Sequence, residues 1–192
     1  MSNRELFGAT DTDPPVLVCA DLQREYLALG RKHLIADGDA TMARCRQMVA
    51  FWREQLWPVI HLKRIAQAAW FNPASNLTEW IDDFRPTPGE MAFEHPLPSA
   101  YSSARFADYM SNMRNIRCVM LGFSLDETIL STVVDGFHRS QRYQVIRDAV
   151  ACRQACVGDA TSYKLVVTKV IGNFAGVLDS AELVGAGGRL AV

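Results

Sequence analysis

Residues 119–151, VMLGFSLDETILSTVVDGFHRSQRYQVIRDAVA, contain two short apolar runs that flank a longer stretch with a different spacing. The first run ends at Gly122, and the second run occupies 143–146. The apolar residues between them recur at every fourth position, which places them on one face of a helix: Ile129, Val133 and Phe137. A strand, a helix and a second strand in this order predict a parallel sheet covered by helices.

The same alternation extends along the rest of the chain. Strands are predicted at 16–20, 59–62, 116–121, 143–146 and about 177–178. Helices are predicted over 39–56 with Asp39 as the N-cap, after Ser102 or Ser103, and after Asp159. Short, continuous apolar runs such as VLVCA at 16–20 are typical of strands buried on both faces. The pattern predicts an α/β fold, a three-layer α/β/α Rossmann-like sheet of about five to six mostly parallel strands, in one domain over 1–192.

The composition excludes several classes of protein. The 192 residues are 49% hydrophobic and 21% charged, as in ordinary globular proteins, and the formal net charge is −1. A charge so close to zero gives no basic surface for nucleic acid. No apolar run approaches the roughly 20 residues of a membrane-spanning helix, and the polar start MSNRELFGATDTDPP lacks the apolar core of a signal peptide. We expect a cytoplasmic protein without nucleic-acid or membrane partners.

Several motifs that bind a cofactor or a metal, or that carry a catalytic nucleophile, are absent from the sequence. There is no GxGxxG after the first strand, no Walker A motif, no GxSxG nucleophile elbow and no HExxH zinc motif. The five cysteines are scattered and odd in number, which indicates reduced thiols, and Cys152 and Cys156 lack a second ligand pair for zinc. We expect no metal and no cofactor.

Ligands of parallel α/β sheets bind at the carboxyl ends of the strands. That rule selects Asp21 after the first strand, residues 61–64 after the second, and the turn 122–128 after the central strand. The intervening segment 63–98 shows no sustained period and contains several aromatic residues, so it forms either a functional lid or a loop packed on the core.

Three segments carry a resemblance to a known family. They are VLVCADLQREYL (16–27), EHPLPSAYSSARFADYM (94–110) and the opening stretch 119–151. Together they resemble the isochorismatase-like hydrolases, also called the cysteine hydrolases, over roughly 14–184. That superfamily includes isochorismatases, nicotinamidases and carbamoylsarcosine amidohydrolases.

The resemblance implies a catalytic Asp, Lys and Cys, and this sequence keeps only the first. Asp21 matches the Asp. The Lys position, four residues before Ser99, holds His95, and the Cys position, six residues after Gly122, holds Thr128.

These substitutions leave three hypotheses. The first is a hydrolase without a cysteine nucleophile, in which Asp21 acts as general acid and base on a vinyl ether or a related small molecule, anionic or cyclic, His95 assists and Thr128 makes a polar contact. The second is a Thr128-dependent amidohydrolase in a Thr–His–Asp arrangement. The third is a catalytically silent family member that binds a ligand or a partner.

The resemblance also implies further features. A cis peptide is expected at 123–124, with the backbone N–H groups of the turn facing the pocket, and Asp126 is expected to cap the following helix. Arg64 is expected to pair either a substrate carboxylate or a surface acid. Trp70, Phe71 and Trp80 are candidates for an aromatic lid. The residues expected to line the substrate site are Gln23, Tyr26, Arg64, Trp70, Tyr101, Ser124 and Leu125.

The oligomeric state is a further expectation from the family, because its members usually form dimers or tetramers. We expect a homodimer or homotetramer, with Met110, Met113 and the aromatic residues of 63–98 at the interface.

The Asp-x-His metal motif of the nicotinamidases is absent from HLKRIAQ at 61–67.

Overall fold

The computed structural model describes residues 14–113, 116–154 and 159–185. Its strands form one six-stranded sheet in the order β3-β2-β1-β4-β5-β6, and every neighbouring pair is parallel. The strands are β1 (Val16–Ala20), β2 (Val59–Arg64), β3 (Met91–His95), β4 (Arg117–Phe123), β5 (Arg142–Ala151) and β6 (Gly176–Leu178). The helices are α1 (Gly38–Glu54), α2 (Ala104–Asn112), α3 (Leu130–His138), α4 (Ala160–Ile171) and α5 (Ser180–Gly185). The predicted α/β fold with a parallel sheet is confirmed.

The sheet separates two apolar cores. Val16 and Val18 of β1 pack in one core with residues of α2, α3 and α4, while Leu17 and Cys19 pack in the other with residues of α1. All five residues of β1 are at most 1% exposed. The continuous apolar run therefore reflects burial on both faces, and helices cover both sides of the sheet as predicted. None of the described helices combines the length and the apolar character needed to cross a membrane.

Helix α1 differs from its prediction at both ends. It begins at Gly38, and the preceding residue is Asp37, with φ of 52° and no capping hydrogen bond from its side chain. Asp39 therefore lies inside the first turn and is not the N-cap. The helix ends at Glu54 because Leu56 takes a left-handed conformation, with φ of 56°, ahead of Pro58.

Strand β3 lies in the segment for which the sequence predicted no regular element. It is the edge of the sheet and pairs only with β2 among the described strands. Only Phe93 and His95 of its five residues are buried, so the apolar signal of a strand is missing.

Two predicted helix caps have different outcomes. Asp159 accepts a hydrogen bond from the Thr161 N–H at 3.0 Å and caps α4 as predicted. Ser103 precedes α2 without a side-chain cap, while the Ser102 hydroxyl accepts a hydrogen bond from the Leu97 N–H at 3.2 Å.

Met110, predicted at an oligomer interface, is fully buried in the core beneath α2. That expectation was wrong for Met110, because its side chain has no surface to offer a partner. Met113 packs against the same core and is partly buried. Cys152 is buried, and Cys156 lies outside the described residues.

Strands β1 and β4 are neighbours in the middle of the sheet, and the chain runs outward from them in opposite directions. Ligands of such sheets bind at the carboxyl ends of the strands where the order reverses. Asp21 follows β1, and the turn 124–129 follows β4, so both lie at this position.

Candidate active site

Asp21, His95 and Thr128 meet at the carboxyl edge of the sheet. The Oδ1 atom of Asp21 lies 2.8 Å from His95 Nε2, and Oδ2 accepts a hydrogen bond from the Thr128 hydroxyl at 2.7 Å. The three residues are at most 1% exposed. The retained aspartate therefore contacts both of the residues that stand at the substituted positions.

Each of the three residues comes from a different element of the fold. Asp21 follows β1, and its N–H donates to the Leu62 carbonyl of the neighbouring strand at 3.0 Å. His95 is the last residue of β3, and Thr128 lies in a π-helical turn, Leu125–Ile129, between β4 and α3. Asp21 has φ of 44°, a conformation that costs about 1–2 kcal/mol in a residue other than glycine. Such strain is concentrated at functional sites.

Gly122 lets the turn after β4 approach β1. It has φ of 108°, and a Cβ atom there would lie 2.2 Å from the Ala20 carbonyl oxygen. The peptide bond between Phe123 and Ser124 is cis, as the resemblance implied. The close approach at Gly122 lets the π-helical turn, with Thr128, lie beside Asp21.

The two ring nitrogens of His95 face different partners. Nδ1 lies 2.7 Å from the Leu97 carbonyl oxygen, which can only accept, so Nδ1 carries a proton. Nε2 faces the Asp21 carboxyl group. The pair therefore holds one further proton, either as imidazolium and carboxylate or as neutral imidazole and carboxylic acid.

The surroundings of His95 favour its charged form. Burial alone would lower the pKa of His95, but the negative charge of Asp21, the hydrogen bond to Asp21 and the hydrogen bond to the Leu97 carbonyl together raise it above the ordinary value. The site thus favours a positive charge beside Asp21, where the resemblance implied a lysine.

The order of the three groups differs from the Thr–His–Asp arrangement considered above. Asp21 lies in the middle, because the imidazole contacts one carboxyl oxygen and the hydroxyl contacts the other. Both nitrogens of His95 are engaged by Asp21 and Leu97, so the imidazole does not face the Thr128 hydroxyl as a base.

Gln23, predicted to line the substrate site, has a structural role. Its amide nitrogen donates to the carbonyl groups of Arg64 and Thr78 at 3.0 and 2.7 Å, and its oxygen accepts from the Arg64 N–H at 2.8 Å. The side-chain amide of Gln23 therefore fixes the end of β2.

Tyr26 lies beside the triad. Burial, with the negative charge of Asp21, raises the pKa of Tyr26 well above its ordinary value, and no described residue hydrogen-bonds to its buried hydroxyl. The phenol is therefore neutral and can donate a hydrogen bond at the site.

Arg64 pairs with an acid of the chain, Glu127, whose side chain is mostly buried rather than at the surface as expected. Its Nη1 lies 2.9 Å from Oε1 of Glu127, and its guanidinium stands 5.0 Å from the centre of the Phe71 ring. The other carboxylate oxygen of Glu127 is 3.3 Å from Nη1 of Arg153 and 3.5 Å from Nδ1 of His33. Burial alone would raise the pKa of Glu127, but His33, Arg64 and Arg153 lower it to about 2.

The predicted aromatic lid is divided between two places. Phe71 packs on Tyr26 and His33, with ring centres 5.3 and 4.8 Å apart, and Trp70 stacks on Arg31. Trp80 contacts His61 and Lys63 instead. It lines a cavity of about 510 Å³ along β3 with Lys63, Ala92, Phe93, Glu94, Ser103 and Arg105.

Tyr101 and Leu125 face the core rather than the site. The Tyr101 hydroxyl hydrogen-bonds to that of Tyr143 at 3.0 Å, and its ring packs on Phe106. Leu125 is fully buried in the same core. These two were wrongly expected to line the substrate site, because their side chains point to the layer of α2 and α3.

The turn after β4 carries one further predicted residue and one correction. Ser124 is fully buried, and no described residue hydrogen-bonds to its hydroxyl. Asp126 does not cap the helix, because its carboxylate accepts from Nε and the N–H of Arg153 at 2.9 and 3.3 Å. The N–H of Glu127 donates to the Ser124 carbonyl at 3.3 Å, so this amide is not directed at a ligand.

The described residues include no group of three or more His, Cys, Asp and Glu side chains placed to hold a metal ion. The four described cysteines are buried, and burial raises the pKa of Cys118 and Cys45 to about 12. Such thiols remain protonated and are poor nucleophiles.

Sequence reasoning missed Glu127 and its partners. Glu127 lies inside the turn selected by the strand-end rule, so an acid beside the reactive position was the available signal. Its pairing with Arg64, 63 positions earlier in the chain, depends on the packing of β2 against the rest of the sheet. The Leu97 carbonyl that orients His95 has no signal in the sequence.

Comparisons with known proteins identify the family of the chain and its fold. The family model described as Isochorismatase domain matches residues 15–182. No curated protein matches the sequence significantly.

Solved structures share the fold. An isochorismatase from Pseudomonas putida is 22% identical, with 87% of this chain and 88% of that chain covered and a TM-score of 0.79. A cysteine hydrolase from Pseudomonas syringae is 15% identical, with coverage of 90% and 91% and a TM-score of 0.78. The N-carbamoylsarcosine amidase from Thermoplasma acidophilum is 24% identical, with coverage of 88% and 98% and a TM-score of 0.66.

The family model spans most of the chain, and the structure has the same fold as these hydrolases. The chain therefore belongs to the isochorismatase domain family.

Proposed function

We propose that this protein hydrolyses a small molecule without a cysteine nucleophile, by proton transfer from Asp21 to an enol ether carbon. The observation that carries the proposal is the position of the Asp21 carboxyl group between His95 Nε2 and the Thr128 hydroxyl. A group held between a proton source and a hydroxyl is suited to general acid and base chemistry.

The pair supplies the proton. Because Leu97 keeps a proton on Nδ1 of His95, the remaining proton of the pair can lie on Nε2 or on Asp21 without loss of either hydrogen bond. Transfer from Asp21 to the terminal carbon of a C=C–O group leaves an oxocarbenium ion beside the Asp21 carboxylate. Water adds to that cation and returns a proton to Asp21, and the hemiketal divides into an alcohol and a ketone.

The site fits proton transfer better than acyl transfer to Thr128. Acyl transfer would develop an oxyanion that needs hydrogen-bond donors, and the Glu127 N–H of the adjoining turn is already used by the Ser124 carbonyl. Among the described residues, the Thr128 hydroxyl faces the Asp21 carboxyl group as its base, and a hydroxyl nucleophile needs a stronger one. These points argue against the Thr128-dependent amidohydrolase.

The test uses 2-methoxypropene as an uncharged enol ether and acetamide as an uncharged amide. The wild type is expected to hydrolyse the enol ether, and in D₂O one deuterium should enter the methyl group of the ketone product. Asp21→Asn is expected to lose at least 100-fold in rate, because general acid catalysis contributes about 10²–10⁴-fold.

The catalytically silent alternative has its own support, the nearly complete burial of all three residues. It predicts ligand binding without turnover, and turnover that survives in Asp21→Asn would contradict the proposed mechanism. Asp126→Asn is a matched control, since this carboxylate is engaged by Arg153 rather than by His95.

A further inference from the structure

Glu127 is a carboxylate that the chain places among cations next to the reactive group. It precedes Thr128 directly, and its side chain is only 17% exposed. The guanidinium of Arg64 contacts one of its oxygens, and Arg153 and His33 approach the other. This is the environment that a bound carboxylate ligand would have.

The charges around this carboxylate balance without a ligand. Arg64 pairs with Glu127, and Arg153 pairs with both Asp126 and Glu127. Asp21 and His95 form a pair of their own. A substrate carboxylate at Arg64 would add a second negative charge beside Glu127, and a buried charge without a partner is strongly unfavourable.

Arg64 can still donate a hydrogen bond to an uncharged acceptor. Its Nε is buried, and no described residue accepts a hydrogen bond from it. The guanidinium lies near the reactive group, because its partner Glu127 directly precedes Thr128, which hydrogen-bonds to Asp21. An uncharged oxygen such as a carbonyl or an ether can accept from Nε without disturbing the pair with Glu127.

We propose that Glu127 determines specificity: it fills the anion site formed by Arg64, Arg153 and His33, so the substrate presents an uncharged oxygen acceptor, not a carboxylate, to Arg64. This inference deepens the proposed function, because it names the class of substrate for the same site. It excludes substrates whose binding requires a carboxylate at this position.

The experiment compares benzoate with benzamide, which have the same shape but differ in charge. Binding is measured by calorimetry on the wild type, on Glu127→Gln and on Glu79→Gln, a control whose carboxylate pairs with Lys63 away from Asp21. Glu127→Gln is expected to bind benzoate at least tenfold more tightly than the wild type does, with benzamide affinity changed less than threefold. Glu79→Gln should behave as the wild type.

Two results would overturn the proposal: a wild type that binds benzoate more tightly than benzamide, or a Glu127→Gln variant that gains no benzoate affinity. If Glu127→Gln does not fold, Glu127→Ala is refolded with and without acetate, and folding that does not depend on acetate also overturns it. None of these measurements requires turnover. A failure of the proposed reaction, seen in the Asp21→Asn assay, is therefore distinguishable from a failure of this inference.

Discussion

Asp21 and His95 lie 2.8 Å apart, although 74 positions separate them in the chain. Where the family resemblance implies a lysine, this chain has an imidazole, a group that can both accept and release a proton. The Leu97 carbonyl fixes which nitrogen releases its proton. The substitution thus replaces a permanent cation by a group that exchanges a proton with the aspartate.

The first prediction concerns the pH dependence of stability. The pKa of His95 is raised in the folded protein, so its contribution is fully present below the ordinary value of about 6.5 and is lost as pH rises through the raised value. His95→Gln should lower the free energy of unfolding by about 3 kcal/mol near pH 6, because it leaves Asp21 buried without its partner. The difference from the wild type should shrink toward pH 9.

Urea unfolding of both proteins between pH 5.5 and 9 measures this difference. His138→Gln is the control, because His138 is exposed at the end of α3. A difference that grows with pH would show that the charged imidazole does not stabilise the fold.

The second prediction tests whether the hydroxyl group of Thr128, rather than the size of its side chain, supports stability and activity. Thr128→Val keeps the volume and removes the donor to Asp21, so the free energy of unfolding should fall by about 1–3 kcal/mol. The rate of hydrolysis should fall at least tenfold, while Thr128→Ser should stay within threefold of the wild type.

Thr132→Val provides the matched control for Thr128. Thr132 is also a buried threonine, and its hydroxyl accepts from the Ala100 N–H at 3.0 Å. We expect it to lower stability without changing the rate. Equal losses of rate in Thr128→Val and Thr132→Val would assign Thr128 a structural role only.

The third prediction compares two glycines with positive φ. Gly122 has φ of 108° and no space for a Cβ atom, whereas Gly89 has φ of 96° and no atom within 4 Å of that position. Gly89→Ala should lose about 1–2 kcal/mol from the backbone conformation alone. Gly122→Ala should lose more than about 4 kcal/mol, because the clash with the Ala20 carbonyl adds to that strain. Thermal unfolding distinguishes the two, and equal losses would contradict the close approach of β4 and β1.

Sequence patterns predicted the strands whose residues are all buried. The runs that became β1 and β4 are buried throughout, so continuous hydrophobicity marks them. Strand β3 was missed because an edge strand that exposes Met91, Ala92 and Glu94 carries no such signal.

The candidate site likewise has features that the sequence predicted and features that it did not. Asp21, His95 and Thr128 were found by counting from motifs, since the spacing within each segment is local. The contact of Arg64 with Glu127 and the burial of Met110 are set by packing between distant segments, which no local pattern records.

The last prediction concerns Glu90, which joins the start of β3 to α1 and β2. Its carboxylate accepts two hydrogen bonds from Arg53, at 2.7 and 3.0 Å, and lies 2.9 Å from His61 Nε2. Burial alone would raise the pKa of Glu90, but Arg53, the Thr87 N–H and His61 lower it to about 2. The stabilisation is therefore present above the ordinary value of about 4.3 and is lost as pH falls toward 2.

Glu90→Gln should lower the free energy of unfolding by about 2 kcal/mol at pH 7, since hydrogen bonds to charged groups contribute roughly 1.5–3 kcal/mol. The gap between the variant and the wild type should narrow below pH 4, as the wild-type carboxylate takes up its proton. Glu54→Gln, an exposed position at the end of α1, should change stability by less than about 0.5 kcal/mol. If the gap stayed constant down to pH 2.5, the charge of Glu90 would not be what holds β3 against α1.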